Sequence, residues 1–184
     1  MDVYSVIHNR GSVRKYTQDP VPKEKLTKLL QAAQAAPSWA NKQCWRYIVV
    51  TNDDKKQQIK GALPEKNPAT KAIDQAPIVI VLCADPEESG KAKGREYYLL
   101  DAGISMQQLM QAAYAEGLGT CWIAWLEDEL KIKEALSIPE DIEIVALTPL
   151  GYPAKEPKPT PRKELTEFVY EDEWAKEINL PSSH

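Results

Sequence analysis

The sequence predicts a single domain that combines helices and strands, and three observations support this class. The chain has 184 residues, enough for one substantial core, with 43% hydrophobic and 27% charged residues. Several segments place apolar residues three or four positions apart, as a helix requires, and residues 95–116 form the longest of them. Other segments are short apolar runs rich in β-branched residues, and the run at 78–84 is typical of a central strand covered on both faces.

The elements follow one another with recognisable start and stop signals. Pro22 suits the first turn of a helix, Asn52 is a good N-cap, and Gly117 is a typical residue after a helix end. Helices are predicted at residues 2–9, 22–35, 53–63, 69–75, 95–116 and 127–137. Strands are predicted at residues 46–51, 78–84, 119–126 and 143–150, with an exposed loop at 85–94. The proline-rich residues 153–163 favour an extended path, and the alternating residues 165–174 favour an edge strand.

The composition and charge of the chain exclude several classes of protein. The formal net charge of -4 argues against a nucleic-acid binder that relies on general positive charge. Cys44, Cys83 and Cys121 lie far apart, so they predict neither a disulfide framework nor a zinc site. The N-terminus lacks a basic and then apolar leader, and no apolar run approaches the roughly 20 residues of a membrane span. We therefore expect a cytoplasmic protein without a membrane, nucleic-acid or metal partner.

The stretch after the first helix, Arg10 to Tyr16, combines three cations, a glycine and a hydroxyl. Forked guanidinium donors at Arg10 and Arg14 fit a phosphate, while Gly11 lets the backbone turn and Ser12 adds a donor. This chemistry suits a phosphate monoester. The alternative is that Arg10 and Gly11 only end the first helix, and that the following cations are a solvated surface.

A polar loop bracketed by two tryptophans follows the second helix, at residues 37–45. Ser38, Asn41 and Gln43 can donate and accept hydrogen bonds, which suits the edge of a planar heterocycle. The alternative is a turn whose tryptophans fill the core and whose polar groups cap helices.

Two further segments have two interpretations each. The helix at 95–116 is apolar nearly all round, which is expected either of a central helix in a monomer or of a helix shared with a partner subunit. The cations of residues 153–163 are either a second basic cluster near the phosphate or a solvated linker. His8 and His184 are the only histidines, so a triad or metal site has little support. We expect the reactive atoms of an enzyme here to belong to a cofactor.

Four motifs, in their order and spacing, resemble the nitroreductase family of FMN-dependent homodimeric oxidoreductases over nearly the whole chain. They are RGSVRKY at 10–16, PSWANKQCW at 37–45, GLGTCWIAWL at 117–126 and LGYPAKEPKPTPRK at 150–163. The resemblance implies an α+β fold, with a mixed, mainly antiparallel sheet flanked by helices, in an intertwined homodimer. It implies that residues 1–163 form the FMN-binding domain and that residues 164–184 are a tail packed on the partner subunit.

The resemblance also implies which residues bind the cofactor. The phosphate end would be held by residues of the first and last motifs, namely Arg10, Gly11, Ser12, Arg14 and Gly151, with Arg162 or Lys163 completing the clamp. The ring system would be contacted by residues contributed by the other subunit, namely Pro37, Ser38, Asn41 and Gln43. Residues passing over the isoalloxazine, with a backbone amide directed at N5, would be Ala124, Trp125 and Leu126.

The activity implied by the resemblance is a ping-pong hydride transfer at flavin N5, without a catalytic side chain. NADH or NADPH would reduce FMN and leave, and a nitroaromatic or quinone would then enter the same space. Trp39 stands where the family often has glycine, and Cys44 where it often has proline. Trp39 and Trp125 are bulky and would narrow the substrate pocket above the flavin. The alternatives are a specialised dehydrogenase or dehalogenase on this scaffold, a flavin-binding module with little turnover, and a dimeric structural protein.

Overall fold

A four-stranded sheet lies at the centre of the computed structural model, which describes residues 1–180. The strands of the chain are β1 (Trp45–Val50), β2 (Ile78–Ala84), β3 (Lys91–Ala92), β4 (Arg95–Glu96), β5 (Gly119–Thr120) and β6 (Glu143–Gly151). The sheet has the order β1-β2-β6-β5 and every neighbouring pair is antiparallel, while β3 and β4 form a separate hairpin. The one parallel contact is an isolated bridge between Ser12 and Thr120. The predicted mixed, mainly antiparallel sheet is confirmed.

Six α-helices flank this sheet. They are α1 (Val3–Asn9), α2 (Lys23–Gln34), α3 (Asp53–Lys60), α4 (Thr70–Gln75), α5 (Tyr97–Ala115) and α6 (Glu129–Leu136). Side-chain caps fix three of the starts, because Asp2, Asn52 and Asp128 each accept a hydrogen bond from a backbone N–H of the first turn. All six predicted helices are present, with ends that differ from the predicted ones by three residues or fewer.

The alternation of β2 creates a core on each face of the sheet. Ile78, Ile80 and Leu82 pack with α2 and α5, whereas Val79 and Val81 pack with α3, α4 and α6. Every residue of β2 is buried, so the strand is covered on both faces, as its apolar run predicts. The protein is therefore three layers thick, with α5 as the main helix of one outer layer.

The strand predicted at 119–126 is much shorter in the structure. Only β5 pairs continuously, and Ile123 returns to the sheet through an isolated bridge with Leu147. The backbone N–H of Cys121 donates to the Thr148 hydroxyl at 2.9 Å instead of to a strand carbonyl. This side-chain contact interrupts the ladder, so residues 121–126 leave the sheet as an irregular segment.

The edge strand predicted at 165–174 is wrong. Residues Leu165–Glu167 form a 3-10 helix, and Tyr170 makes only an isolated bridge with Glu177. Asp172 has a φ of 63°, and the N–H of Glu171 donates to the Lys176 carbonyl, so the chain closes a local turn. The predicted loop at 85–94 likewise contains a 3-10 turn at Pro86–Glu88 and part of the β3–β4 hairpin.

The last four residues of the predicted tail, 181–184, lie outside the described residues. Among residues 1–180, no helix has both the length and the apolar character needed to cross a membrane.

Candidate functional site

The segment that follows α1 is docked along the edge of the sheet by backbone pairing. The N–H of Val13 donates to the Thr120 carbonyl at 2.8 Å, and Ser12 bridges Thr120. Val13 and Tyr16 are buried, whereas Ser12 and Arg14 are exposed. An extended chain alternates its side chains, so burial of Val13 turns Ser12 and Arg14 towards solvent on the same side.

Two glycines of the sheet make this docking sterically possible. A Cβ on Gly119 would lie 2.7 Å from the Val13 side chain, and a Cβ on Gly151 would lie 2.6 Å from Pro77 and 3.2 Å from Tyr16. Gly119 and Gly151 face each other in the β5–β6 pair. Gly119 is therefore a point of close backbone approach, and the approaching element is the segment that carries Ser12 and Arg14.

The segment that carries these cations runs beside one buried thiol. Ser12 bridges Thr120, the residue before Cys121. Burial raises the pKa of Cys121, while the positive charges of Arg14 and Arg10 and the Ser12 hydroxyl act to lower it. We name Arg10, Gly11, Ser12 and Arg14 the phosphate cluster.

The alternative interpretation of Arg10 and Gly11 is partly supported by the structure. Arg10 is the C-cap residue of α1, and its N–H donates to the Val6 carbonyl at 3.0 Å. Gly11, however, does not adopt a positive φ. Its role is steric, because an added Cβ would lie 3.0 Å from Pro157 and 3.1 Å from the Lys158 carbonyl oxygen.

The proline-rich segment thus runs beside the phosphate cluster. The N–H of Ala154 donates to the Lys15 carbonyl at 3.0 Å, and a groove of about 220 Å³ separates residues 12–15 from residues 155–158. Lys155 and Lys158 line this groove. Arg162 and Lys163, which the resemblance assigned to the clamp, are exposed and do not line it.

The donor set of this region fits a phosphate monoester. The guanidinium group of Arg14, the hydroxyl of Ser12 and three ammonium groups, of Lys15, Lys155 and Lys158, line one shallow groove, and Glu156 is the only acidic residue in its lining. Arginine gives paired, charge-assisted hydrogen bonds to phosphate oxygens, and lysine adds a mobile charge. The terminal phosphate of FMN matches this set in charge and in hydrogen-bonding character.

The loop at 37–43 has a strained backbone. Residues Trp39–Asn41 form a 3-10 turn, and φ is 48° at Ala40, 56° at Asn41 and 52° at Gln43. Left-handed backbone at a non-glycine residue costs on the order of 1 kcal/mol and persists only where the surroundings enforce it. We name residues 37–43 the ring-side loop.

Side-chain hydrogen bonds hold the ring-side loop in this shape. The N–H of Gln43 donates to the Ser38 hydroxyl at 2.9 Å, and the Gln43 side-chain amide donates to Asn41 Oδ1 at 3.1 Å. Asn41 and Gln43 are exposed, so their remaining donors and acceptors face solvent. The loop therefore presents two preorganised amides, as the sequence predicts for the edge of a heterocycle.

Trp39 is held by three neighbours from α5 and the segment before it. Its backbone N–H donates to Asp101 Oδ1 at 2.9 Å, and its ring lies 6.2 Å from the ring of Tyr97. A Cβ on Gly90 would lie 2.7 to 2.9 Å from the Trp39 ring, so the indole packs directly on the Gly90 backbone. Trp39 keeps 44% of its surface exposed, so it is a wall of an open site and does not fill the core.

The third predicted group lies within the irregular segment. Ala124 is exposed, Trp125 is 61% exposed, and Leu126 is half-buried against the core on the α3, α4 and α6 side. Within residues 1–180, no described hydrogen bond or groove lining joins this group or the ring-side loop to the phosphate cluster. Within one chain the phosphate cluster and the ring-side loop are therefore two separate halves of the predicted site.

Some residues of the site were absent from the sequence prediction. Asp101 is buried on α5, and its signal was a carboxylate inside an otherwise apolar helical pattern. Gly90 had no signal that a single sequence reveals. Lys155 and Lys158, in contrast, belong to the cations of residues 153–163, for which a basic cluster near the phosphate was one of the two interpretations. The described residues contain no cluster of three or more histidine, cysteine or acidic side chains suited to a metal ion.

Comparisons with known proteins agree with this geometry. A model described as "Nitroreductase family" matches residues 7–152. A protein of Methanothermobacter thermautotrophicus named "Putative NADH dehydrogenase/NAD(P)H nitroreductase" is 36% identical over 160 residues, which cover 85% of this chain and 80% of that protein.

Solved structures show the same relationship. A nitroreductase family protein from Clostridium novyi NT has 43% identity and a TM-score of 0.81, and the match covers 97% of each chain. An FMN-dependent nitroreductase from Clostridium difficile R20291 has 26% identity and a TM-score of 0.81, with 93% of this chain and 99% of the other covered. The family match, the identities and the coverage lead to one conclusion, which is that this chain belongs to the nitroreductase family.

Proposed function

We propose that this protein is an FMN-dependent oxidoreductase that uses NADH or NADPH to reduce a small-molecule acceptor such as a nitroaromatic or a quinone. The observation that carries the proposal is the groove at the edge of the sheet, where Ser12 and Arg14 face Lys155 and Lys158. The names of the relatives support the same chemistry, since they include an NAD(P)H nitroreductase and an FMN-dependent nitroreductase.

The phosphate cluster and the two neighbouring lysines would hold the phosphate of FMN. Arg10 and Arg14 supply the paired donors, and Ser12 supplies a hydroxyl on the same side of its segment. Lys155 and Lys158 add charge from the opposite wall of the groove. We include Gly151 because its missing side chain allows the segment to dock, and Arg162 and Lys163 as cations further along the same extended segment.

The ring-side loop and residues 124–126 would contact the flavin ring. Asn41 and Gln43 offer amides that both donate and accept, which suits the heteroatoms along one edge of an isoalloxazine. Bound FMN would supply the hydride chemistry, with NAD(P)H and the acceptor using the site one after the other. The protein contributes binding, orientation and hydrogen bonds, and the ring-side loop contains no histidine that would act as an acid or base.

A second copy of the chain would bring the two halves of the site together. Leu99, Leu100 and Ile104 are between 43% and 58% exposed on α5, although an apolar helix face is normally covered. Leu100 and Ile104 also line an open groove beside Trp39 in the ring-side loop. A homodimer that covers this face of α5 places the ring-side loop at the interface. We propose that the tail, residues 164–184, packs on the partner, because Phe168 and Trp174 lack cover in one chain.

The width of the site would favour flat acceptors. Trp39 and Trp125 are both exposed and bulky, and Trp39 is fixed in place by Gly90 and Tyr97. Indole walls offer stacking surfaces to planar aromatic rings and leave little room for thick substrates. Planar nitroaromatics and quinones satisfy both conditions.

An anaerobic titration tests the proposal. Purified protein reconstituted with FMN is mixed with NADH or NADPH in a stopped-flow instrument, and we expect the absorbance of oxidised flavin to disappear and to return when a quinone is added. Yellow protein that neither nucleotide bleaches would indicate a flavin-binding module. Bleaching without turnover of nitroaromatics or quinones would indicate a specialised flavin enzyme. Colourless protein whose melting temperature does not rise with FMN would refute a flavin protein altogether.

A further inference from the structure

Asp101 is a buried carboxylate in the fold that no part of the proposed chemistry uses. It lies in the second turn of α5 and is 4% exposed, in a helix whose other buried residues are almost all apolar. Among residues 1–180, no described ion pair includes Asp101. A buried carboxylate without a cation is retained only where neutral donors satisfy its oxygens.

The donors that satisfy Asp101 come from three separate segments. Oδ1 accepts the backbone N–H of Trp39 at 2.9 Å, in the ring-side loop. Oδ2 accepts the Ser89 hydroxyl at 3.0 Å, at the end of the 3-10 turn before Gly90. The Cys44 thiol lies 3.9 Å from Oδ2, at the start of β1. One side chain on a rigid helix thus ties together both ends of the ring-side loop and the segment that packs on Trp39.

The negative charge of Asp101 also affects the pKa of the neighbouring Cys44 thiol. Burial raises the pKa of Cys44, and the negative charge of Asp101 raises it further. The thiol therefore stays protonated and available as a weak donor to Asp101. This contact adds to the two shorter hydrogen bonds and leaves the carboxylate with partners on both oxygens.

The ring-side loop has a backbone conformation that its residues do not favour on their own. Ala40, Asn41 and Gln43 all have left-handed backbone, and the loop residues beyond Trp39 are exposed. Packing in the core therefore does not enforce this conformation, so a few hydrogen bonds must do so. Trp39 directly precedes Ala40, the first strained residue, and its backbone N–H donates to the Asp101 carboxylate.

We propose that Asp101 is a positioning residue for the flavin ring: its carboxylate fixes Trp39 and thereby holds Asn41 and Gln43 in the conformation that receives the ring. The proposal rests on the proposed function for the identity of the ring. The conformation of the loop is argued separately, from hydrogen bonds within the chain. Loss of the carboxylate would free the loop and weaken flavin binding at the ring end without touching the phosphate cluster.

The test compares Asp101→Asn with two control variants. An asparagine keeps the size of the side chain but is neutral, so the Trp39 N–H loses its charged acceptor, and the side-chain NH2 can only donate to the Ser89 hydroxyl instead of accepting from it. Ser105→Ala removes a buried hydroxyl one turn further along α5 that bonds Tyr47 and the Ala33 carbonyl, away from the loop. Ser89→Ala removes one donor to Asp101 and keeps the Trp39 contact.

Two measurements separate positioning from plain stability. In FMN-free protein, hydrogen exchange at the Trp39 amide should be about tenfold faster in Asp101→Asn than in the natural chain, because hydrogen bonds to charged groups are the stronger class. The FMN dissociation constant should rise by about tenfold as well. Ser105→Ala should lower the melting temperature while both quantities stay within about twofold, and Ser89→Ala should change the exchange less than Asp101→Asn does.

Three results would overturn the proposal. The first is a Trp39 amide that is already unprotected in the natural chain, which needs no variant to fold. The second is an Asp101→Asn protein whose FMN affinity and exchange match the natural chain. The third is a Ser105→Ala protein that loses FMN affinity as strongly as Asp101→Asn. If the natural chain binds no FMN, the proposed function fails, and the exchange comparison in FMN-free protein still judges the contact between Asp101 and the loop.

Discussion

The phosphate cluster and the ring-side loop are built in opposite ways. The phosphate cluster is paired to β5 through the backbone, and buried Val13 and Tyr16 fasten it to the sheet edge. The ring-side loop is exposed, contains three non-glycine residues with positive φ, and is fastened mainly through side chains. The phosphate cluster is therefore held by the sheet itself, whereas the ring-side loop is held only by a few hydrogen bonds.

This difference assigns different tasks to the two halves. Strong binding of a charged phosphate requires donors that do not move, since any ordering on binding reduces the affinity. In the proposed reaction the ring meets two different partners in turn, so a loop that adjusts slightly suits that end. We expect variants of the phosphate cluster to change mainly the cofactor affinity, and variants around the ring-side loop to change both the cofactor affinity and the choice of acceptor.

The largest effect is expected for the double substitution Arg10→Ala and Arg14→Ala. Each hydrogen bond to a charged group contributes about 1.5 to 3 kcal/mol, so loss of both guanidinium groups should weaken FMN binding by about 100-fold or more. Equilibrium dialysis or quenching of FMN fluorescence measures this. Because neither side chain belongs to the buried core, the melting temperature without FMN should change little.

Arg95→Ala is the matched control for that double substitution. Arg95 is an exposed arginine in the short β4 strand, outside the groove of the phosphate cluster. Its removal changes the net charge without removing a phosphate donor, so FMN affinity should stay within about twofold. An equal loss of affinity in both proteins would mean that general charge, and not the phosphate cluster, attracts the cofactor.

A smaller effect is expected where the rigid half meets the sheet. In Gly119→Ala the new Cβ meets the Val13 side chain at 2.7 Å, and crowding of this kind costs about 1 to 3 kcal/mol. Chemical unfolding should show this loss together with weaker FMN binding, because Ser12 and Arg14 move with Val13. Gly61→Ala is the control, since its Cβ finds 3.4 Å of space and its φ is -67°. Unchanged stability in Gly119→Ala would contradict the close approach.

These two regions also show which features of the structure can be predicted from a single sequence. The helices and β2 follow from periodicity and capping, and the structure confirms those elements, whereas the role of the phosphate cluster follows from residue chemistry and stays a prediction. The short β5 does not, because the hydroxyl of Thr148 interrupts the ladder from 27 positions away. Asp101 is equally hidden, since its three partners lie at positions 39, 44 and 89. The conformation of the irregular segments depends on contacts between residues distant in the sequence, whereas the helices and strands follow from local sequence patterns.

The hydrogen bond between Tyr47 of β1 and Ser105 of α5 makes the stability of the fold depend on alkaline pH. Burial raises the pKa of Tyr47 from its ordinary value of 10.0 to about 12, and its hydroxyl lies 2.7 Å from that of Ser105. The folded state therefore holds the proton that the unfolded chain releases. This contribution is complete below pH 10 and is lost as the pH rises towards 12, by about 2 kcal/mol.

Tyr47→Phe identifies that contribution. Between pH 10 and 12 the variant should lose about 2 kcal/mol less than the natural chain in chemical unfolding. Below pH 10 it should be less stable, because the Ser105 hydroxyl loses its partner. Identical alkaline profiles for both proteins would exclude Tyr47 as the titrating group.

The smallest and most specific effect is expected for Gly90→Ala. The added Cβ lies 2.7 to 2.9 Å from the Trp39 ring, which is 44% exposed and so has room to swing outward. Stability should fall by less than about 1 kcal/mol, and the KM for a bulky quinone should change more than that for a small nitroaromatic. In a Trp39→Ala background the same substitution should have almost no effect, because the clash is gone. A double-mutant cycle that proves additive would show that Gly90 does not act through Trp39.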